Sequence, residues 1–295
     1  MFILSIETTG PHCSAALIDE KGNIKIEKSL DRLNHLKVLT PLIDKLMKDN
    51  GVSKDDICAV AASRGPGSFT GIRIGVSTAR ALAQVWEIPC IAVPTLFAFG
   101  YSRRDRLVAD ENLVICPIFD ARRNQIYGAC IVSSHVKING DGEFTSDLMP
   151  AISGDGEANS LEPIKSDVDG SPEAALNRDG LKEAVKAGPY MLDEFLMCIE
   201  ESILKARKGK NVKIEFIGDG VSKYGDKIKE WADGKSVDVE LVDEAYQYAD
   251  SVAEIALSMY EKGEIVEFNC FQPEYMRKAE AQRKLEERLL GKKDA

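Results

Sequence analysis

Two short stretches of this 295-residue chain carry residue types that could do chemistry. The first is Gly65-Pro66-Gly67-Ser68-Phe69-Thr70-Gly71, which runs into Ile72-Arg73-Ile74-Gly75. It joins an apolar run, Ile57 to Ser63, to a stretch with helical periodicity. Glycine permits positive φ and close backbone approach, and a helix N-terminus presents free N–H groups. Gly65, Gly67 and Ser68 could therefore hold an anion. The loop lacks the lysine of G-x-x-x-x-G-K-[ST] and does not follow the dinucleotide pattern G-x-G-x-x-G. A tight structural turn is the plainer reading. The second stretch is Glu7-Thr8-Thr9, an acid and two hydroxyls that close the first apolar run. Such a turn can face a phosphate and its magnesium ion, and a simple polar turn explains it equally well.

Other chemistries lack their residues. His12, His35 and His135 are scattered without metal-ligand spacing, and no G-x-S-x-G elbow occurs. Neither a catalytic residue nor a metal site is assigned. Asp120 with Arg122 and Arg123 reads as a solvated turn, or as a polar site between two halves. Seven cysteines, with no C-x-x-C, fit buried free thiols in a reducing cytoplasm. The net charge of −10 argues against a stand-alone nucleic-acid binder, which needs a cationic face. Residues 139–188 hold 11 acids and 4 bases, a net of −7, so the rest of the chain carries only −3. No signal peptide is evident. The longest apolar tract, Ile88 to Tyr101, contains two prolines and is too short to span a bilayer. A cytoplasmic protein without a membrane segment is expected.

The elements that must position these residues follow from periodicity. Phe2 to Glu7, Cys13 to Ile18 and Ile24 to Ser29 read as three strands in an up-down-up meander. A helix spans about Asn34 to Asn50, with Leu36, Leu39, Leu42, Ile43, Leu46 and Met47 on one face; Pro41 either kinks it or marks where it starts. Ile57 to Ser63 is a buried strand. Phe69 to Trp86 is a helix whose stripe of Ile72, Gly75, Val76, Ala79, Leu82, Ala83 and Trp86 is rich in small residues. Pro89 to Val93 is a fifth strand, and Pro94 to Tyr101 a short helix. Three antiparallel strands followed by parallel crossovers give a mixed five-stranded sheet flanked by helices, the ribonuclease-H-like layout.

Residues 1–103 form this first domain. Residues 104–275 are expected to form a second α/β domain, a degenerate repeat with an acidic surface insertion at about 139–188. Pro189 to Arg207 is read as an amphipathic helix, Val212 to Ile217 and Val237 to Val242 as strands, and Gly218-Asp219-Gly220 as a turn. Residues 276–295, with 7 bases and 4 acids, read as a solvated terminal helix. The two helices of the first domain follow neighbouring strands. Their apolar residues either all face the sheet or leave an outer face on which another helix pair could dock.

The run Ser63-Arg-Gly-Pro-Gly-Ser-Phe-Thr-Gly-Ile-Arg-Ile-Gly75 with its Ala-rich helix resembles the TsaB (YeaZ) family. So do Ile3-Leu-Ser-Ile-Glu-Thr-Thr9, Pro94-Thr-Leu96, Asp120-Ala-Arg-Arg123, Gly218-Asp-Gly220 and Pro273-Glu-Tyr-Met-Arg277. The resemblance implies the fold of the actin-like ATPase and sugar-kinase superfamily, two ribonuclease-H-like halves around a cleft. It implies a noncatalytic subunit that pairs with the TsaD transferase, and with the small ATPase TsaE, to form N6-threonylcarbamoyladenosine on tRNA. Contact with tRNA would come only through the complex. Pairing would be through the two helices, at His35, Leu39, Leu42, Ile43, Leu46, Ile72, Gly75, Val76, Ala79, Leu82 and Ala83. A homodimer would use the same face when the protein is alone.

The subunit would need no cofactor of its own. ATP or ADP at the partner interface would meet Glu7, Thr8, Thr9, Gly65, Gly67, Ser68, Gly218 and Gly220. The alternative is a superfamily ATPase or kinase with nucleotide in the cleft; for a protease the sequence offers neither zinc ligands nor a nucleophile with a base. Two departures from the family pattern stand out. Leu36 and Lys37 replace the usual Ser and Glu after His35, and Glu7 replaces an Asp. The acidic insertion also looks longer than the family requires.

Overall fold

The computed structural model describes residues 1–29, 34–134, 180–207, 211–235, 237–243 and 246–276. The first five strands are β1 (Phe2–Glu7), β2 (Cys13–Asp19), β3 (Ile24–Ser29), β4 (Ile57–Gly65) and β5 (Cys90–Pro94). They form one sheet in the order β3-β2-β1-β4-β5. β1 pairs antiparallel with β2, with Leu4 opposite Leu17, and parallel with β4, with Leu4 opposite Val60. Helix α1 (His35–Asp49) links β3 to β4, and α2 (Phe69–Trp86) links β4 to β5. Pro41 lies inside α1, which begins at His35 rather than at the proline. Pro41 and Lys37, the residue four positions earlier whose carbonyl loses its intrahelical partner, are both exposed. Water can satisfy that carbonyl.

The second half repeats this plan. Its strands are β6 (Leu113–Asp120), β7 (Gln125–Ser133), β8 (Leu181–Met191), β9 (Val212–Ile217) and β10 (Val237–Val242), in the order β10-β9-β6-β7-β8. Counted within each half, both sheets read third-second-first-fourth-fifth. In both, the first pair is antiparallel and the crossovers are parallel. Helices α5 (Leu192–Ile199) and α6 (Val221–Ala232) stand where α1 and α2 stand in the first half. This is a duplicated ribonuclease-H-like fold.

Between the sheets lie α3 (Thr95–Tyr101) and α7 (Ala249–Glu261). Successive strand residues point to opposite faces. Ile3 therefore enters a central core with Phe99, Ile115, Ile131, Ile217 and Val252, while Leu4 and Ile6 enter an outer core under α1 and α2. The last helix, α7, packs back onto β1 and β2 of the first sheet. A short helix, α4 (Arg104–Ala109), is tied to the second sheet through Glu215, a fully buried carboxylate on β9. It meets Arg106 at 2.5 Å and Arg103 at 3.3 Å.

Two expectations need correction. The helix read from Pro189 onward starts only at Leu192, because Pro189 and Tyr190 still pair with Tyr127 and Ile126 of β7. The strand ladder overrides the local amphipathic pattern. The segment read as a surface insertion to residue 188 likewise loses its end, since residues 181–188 belong to β8. The insertion's remainder between 139 and 179 and the terminal helix from 277 lie outside the described residues.

Candidate functional site

The glycine loop and the first turn are built into each other. β1, the central strand of its sheet, delivers Glu7 at its C-terminal end as a fully buried carboxylate. Its Oε1 accepts from the Thr9 N–H and the Thr9 hydroxyl, both at 2.5 Å, and its Oε2 accepts from the Ser63 hydroxyl. Gln247 donates to Ser63 Oγ at 3.4 Å. Thr8 Oγ1 donates to the Gly71 carbonyl at 2.8 Å, and the Ser68 N–H donates to the Thr9 carbonyl at 2.9 Å. Ser68 then caps α2 by accepting from the Gly71 N–H at 3.3 Å. The turn thus holds the start of α2 by both its side chains and its backbone.

The glycines are where this approach demands them. A Cβ at Gly71 would fall 2.0 Å from the Thr8 carbonyl oxygen, and one at Gly67 would fall 2.6 Å from Thr9 Cβ. Gly65 has φ +126°, and a Cβ there would meet the Glu274 carbonyl at 2.5 Å. The space these residues open is therefore taken up by Thr8, Thr9 and Glu274. The Gly65 N–H is also engaged, with Thr95 Oγ1 at 3.0 Å. Gly218-Asp219-Gly220 is built separately, against the end of β6. Gly218 has φ +108° and lies over the Ile118 carbonyl, and Asp219 accepts from the Asp120 N–H at 3.1 Å. Asp120 accepts from Lys223 at 3.0 Å and from the Arg122 N–H at 2.9 Å, inside a turn where Arg122, Arg123 and Asn124 all have positive φ.

Burial pushes the Glu7 carboxyl above its ordinary value, and the hydrogen bonds from Ser63, Thr9 and the Thr8 backbone only partly oppose this. Sequence reasoning left a magnesium-facing acid and a simple polar turn equally open here; the structure shows a carboxyl whose two oxygens already accept hydrogen bonds within the chain. Glu7→Ala would leave two hydroxyls and one N–H without their acceptor, at about 1–3 kcal/mol each when buried. A loss of several kcal/mol is expected in urea unfolding. Glu7→Gln keeps one acceptor for Thr9 and should be far milder. The folded group holds its proton to higher pH than the unfolded one. Its contribution is therefore fully present below the unfolded value of 4.5 and is lost as pH rises through the folded value. The stability of Glu7→Gln relative to the parent should rise across that window, as unfolding measured against pH would show.

The helix residues expected at a partner interface are brought together, but on the inward side. Leu39, Leu42, Ile43, Leu46, Ile72, Val76, Ala79 and Ala83 are buried against the first sheet. Gly75 sits on Thr8, Leu82 is half-buried, and His35 is buried with Nε2 3.0 Å from the Gly10 carbonyl oxygen. While the helices stay seated, the fully buried members of this set cannot meet another molecule. The side chains that can are their outward neighbours, which the sequence reading passed over. Ile74, Thr78, Ala81 and Val85 recur at spacings of four, three and four, so they share one face of α2. Val85 is 78% exposed, and Leu36, at the start of α1, is 79% exposed. This stripe carries no charge, whereas the outward side of α1 carries Asp44, Lys45, Lys48 and Asp49 in ion pairs. Phe69 and Arg73 close the stripe at one end, stacked with Tyr275, whose hydroxyl lies 2.7 Å from Arg73 Nε.

A family model described as TsaD: tRNA N6-adenosine threonylcarbamoyltransferase matches residues 29–140. The chain is 33% identical over 142 residues to the tRNA threonylcarbamoyladenosine biosynthesis protein TsaB of Haemophilus influenzae, covering 48% of this chain and 58% of that protein. It is 36% identical over 129 residues to TsaB of Escherichia coli, covering 44% and 54% respectively. The chain thus spans little more than half the length of the curated relatives it matches. The solved structure of YeaZ from Pseudomonas aeruginosa superposes with a TM-score of 0.63 over 93% of this chain and 99% of that one, at 19% identity, which speaks to the fold. Among the described residues no helix is long and apolar enough to cross a membrane.

Proposed function

We propose that this chain, a relative of the TsaB (YeaZ) family, is a noncatalytic subunit in the formation of N6-threonylcarbamoyladenosine on tRNA. It binds a TsaD-type transferase through the outward side of α1 and α2 and holds it in an active form. The observation that carries this reading is the exposed, uncharged pair Ala81 and Val85 on α2, flanked on the same face by the half-buried Ile74 and Thr78, with Leu36 exposed at the start of α1, on a helix pair otherwise seated on its own sheet. Exposed apolar surface of this kind favours contact with another protein. Leu36 stands where the family usually has a serine, and the exchange adds apolar area to that face. A homodimer through the same stripe is the arrangement we propose for the protein alone. A TsaE-type ATPase joins the complex, tRNA is met only through it, and the work is cytoplasmic.

An ATPase or kinase role for the isolated chain has less support. The glycine loop is filled by the chain's own turn, and Glu7 spends both oxygens on internal hydrogen bonds. A magnesium-dependent ATPase assay on the isolated protein is the test. No turnover above a Glu7→Gln control is expected, and turnover that this substitution abolishes would restore the kinase reading.

A further inference from the structure

Two free thiols face each other across the centre of the second sheet. Cys116 on β6 and Cys130 on β7 are both fully buried, with their Sγ atoms 3.0 Å apart. The pairing sets Ile115 opposite Ile131 and Ile118 opposite Gly128, and the same register sets Cys116 opposite Cys130. Directly opposed residues of an antiparallel pair have Cα atoms about 4.5–5.5 Å apart. That lies within the roughly 4.4–6.8 Å a disulfide spans, and a closure of about 1 Å would bring the sulfurs to bonding distance. The strands need not shift register to allow it.

A third thiol gives a route inward. Cys198, on α5, is half-buried and packs against the same core as Cys116 and Cys130. The helix that carries it packs directly on β7, the strand of Cys130. We propose that Cys116 and Cys130 are an oxidative modification site, converted by peroxide to a cross-strand disulfide with Cys198 as the entry thiol. Peroxide oxidises the Cys198 thiol to a sulfenic acid and releases one water. The Cys130 thiol displaces the hydroxyl as a second water, forming a Cys130–Cys198 disulfide. The Cys116 thiol then attacks Cys130 Sγ and passes its proton to the departing Cys198 sulfur. The sum is two thiols oxidised to one disulfide and one peroxide reduced to two waters. Burial holds the Cys130 thiol well above its ordinary range, so the reaction is slow and quickens as pH rises.

The experiment uses the full chain carrying Cys270→Ser, which removes the exposed thiol. Folded protein is treated with hydrogen peroxide, alkylated and digested, and its peptides are mapped by mass spectrometry. A linked peptide pair holding Cys116 and Cys130 is expected, with Cys198 recovered as an alkylated thiol. Adding Cys198→Ser should slow its appearance about tenfold or more, since both remaining thiols are buried. Adding Cys116→Ser should instead trap the Cys130–Cys198 pair. Cys198 oxidised with no Cys116–Cys130 link, or a Cys130–Cys198 link as the end product in the presence of Cys116, would overturn the proposal. An unchanged rate in Cys198→Ser would overturn the entry route. The Cys198→Ser comparison stands even if Cys116→Ser fails to fold.

Discussion

Gly71→Ala is expected to destabilise the protein by about 3 kcal/mol or more. On helix propensity alone the change should help, because alanine is favoured over glycine inside a helix by about 1 kcal/mol. The sign is decided by contact. The new methyl would fall 2.0 Å from the Thr8 carbonyl oxygen, a backbone atom held by the β1–β2 turn. Neither side can give way cheaply. Thr8 is buried and donates to the Gly71 carbonyl, and the Thr9 carbonyl accepts from the Ser68 N–H. The start of α2 would have to lift from the turn, and with it Ile72 and Val76 from the outer core. At about 2–4 °C per kcal/mol for a chain of this size, the melting temperature should drop by roughly 10 °C. Gly10→Ala is the control. A Cβ there meets nothing within 4 Å, so a change within about 0.5 kcal/mol is expected. A Gly71→Ala protein as stable as its parent would show that α2 is not seated on Thr8.

Val85→Glu is expected to leave the fold intact and to weaken binding to a TsaD-type partner about thirtyfold or more, the effect of losing an interface hot spot. Val85 is 78% exposed, so the carboxylate stays in water in the free chain and must be desolvated against an apolar surface in the complex. Ala81→Glu, one turn away on the same face and also exposed, should act alike. Val76→Glu would look equivalent from the sequence and is not. Val76 is 1% exposed, so a charge there falls in the outer core and should unfold the domain. Loss of binding by that variant would say nothing about the interface. Titration calorimetry or gel filtration with the partner, alongside circular dichroism of each variant, separates the two cases.

The contrast between Val76 and Val85 shows how far the sequence could be read. Periodicity located both helices of the first half, and its meander and crossovers pointed to a mixed five-stranded sheet flanked by helices. Periodicity also sorted the α2 residues into faces, but it could not say which face met the sheet. The small-residue stripe looked like a place for another helix; in fact Gly71 and Gly75 are small so that the β1–β2 turn can sit on them. The motif residues were legible as a group, and a tight structural turn was the plainer reading of the loop, but what packs into that turn was not legible. Only the fold reveals that Thr8 and Thr9 fill the space the glycines open. In the second half, β8 was hidden because Lys182, Glu183 and Lys186 mask its alternation, and Pro189 suggested a helix start. Its partners on β7 decide the matter, and a pairing is a nonlocal property. Cys116 and Cys130 were read as core thiols, which they are; their opposition depended on a register the sequence does not display.

The measurement that tests the central claim most directly is reconstituted threonylcarbamoylation of tRNA with the organism's own TsaD and TsaE proteins. It is run without this chain, with the parent chain and with folded Val85→Glu. The account predicts modification that requires the parent chain and falls sharply with the variant. Modification proceeding equally well in all three would contradict it.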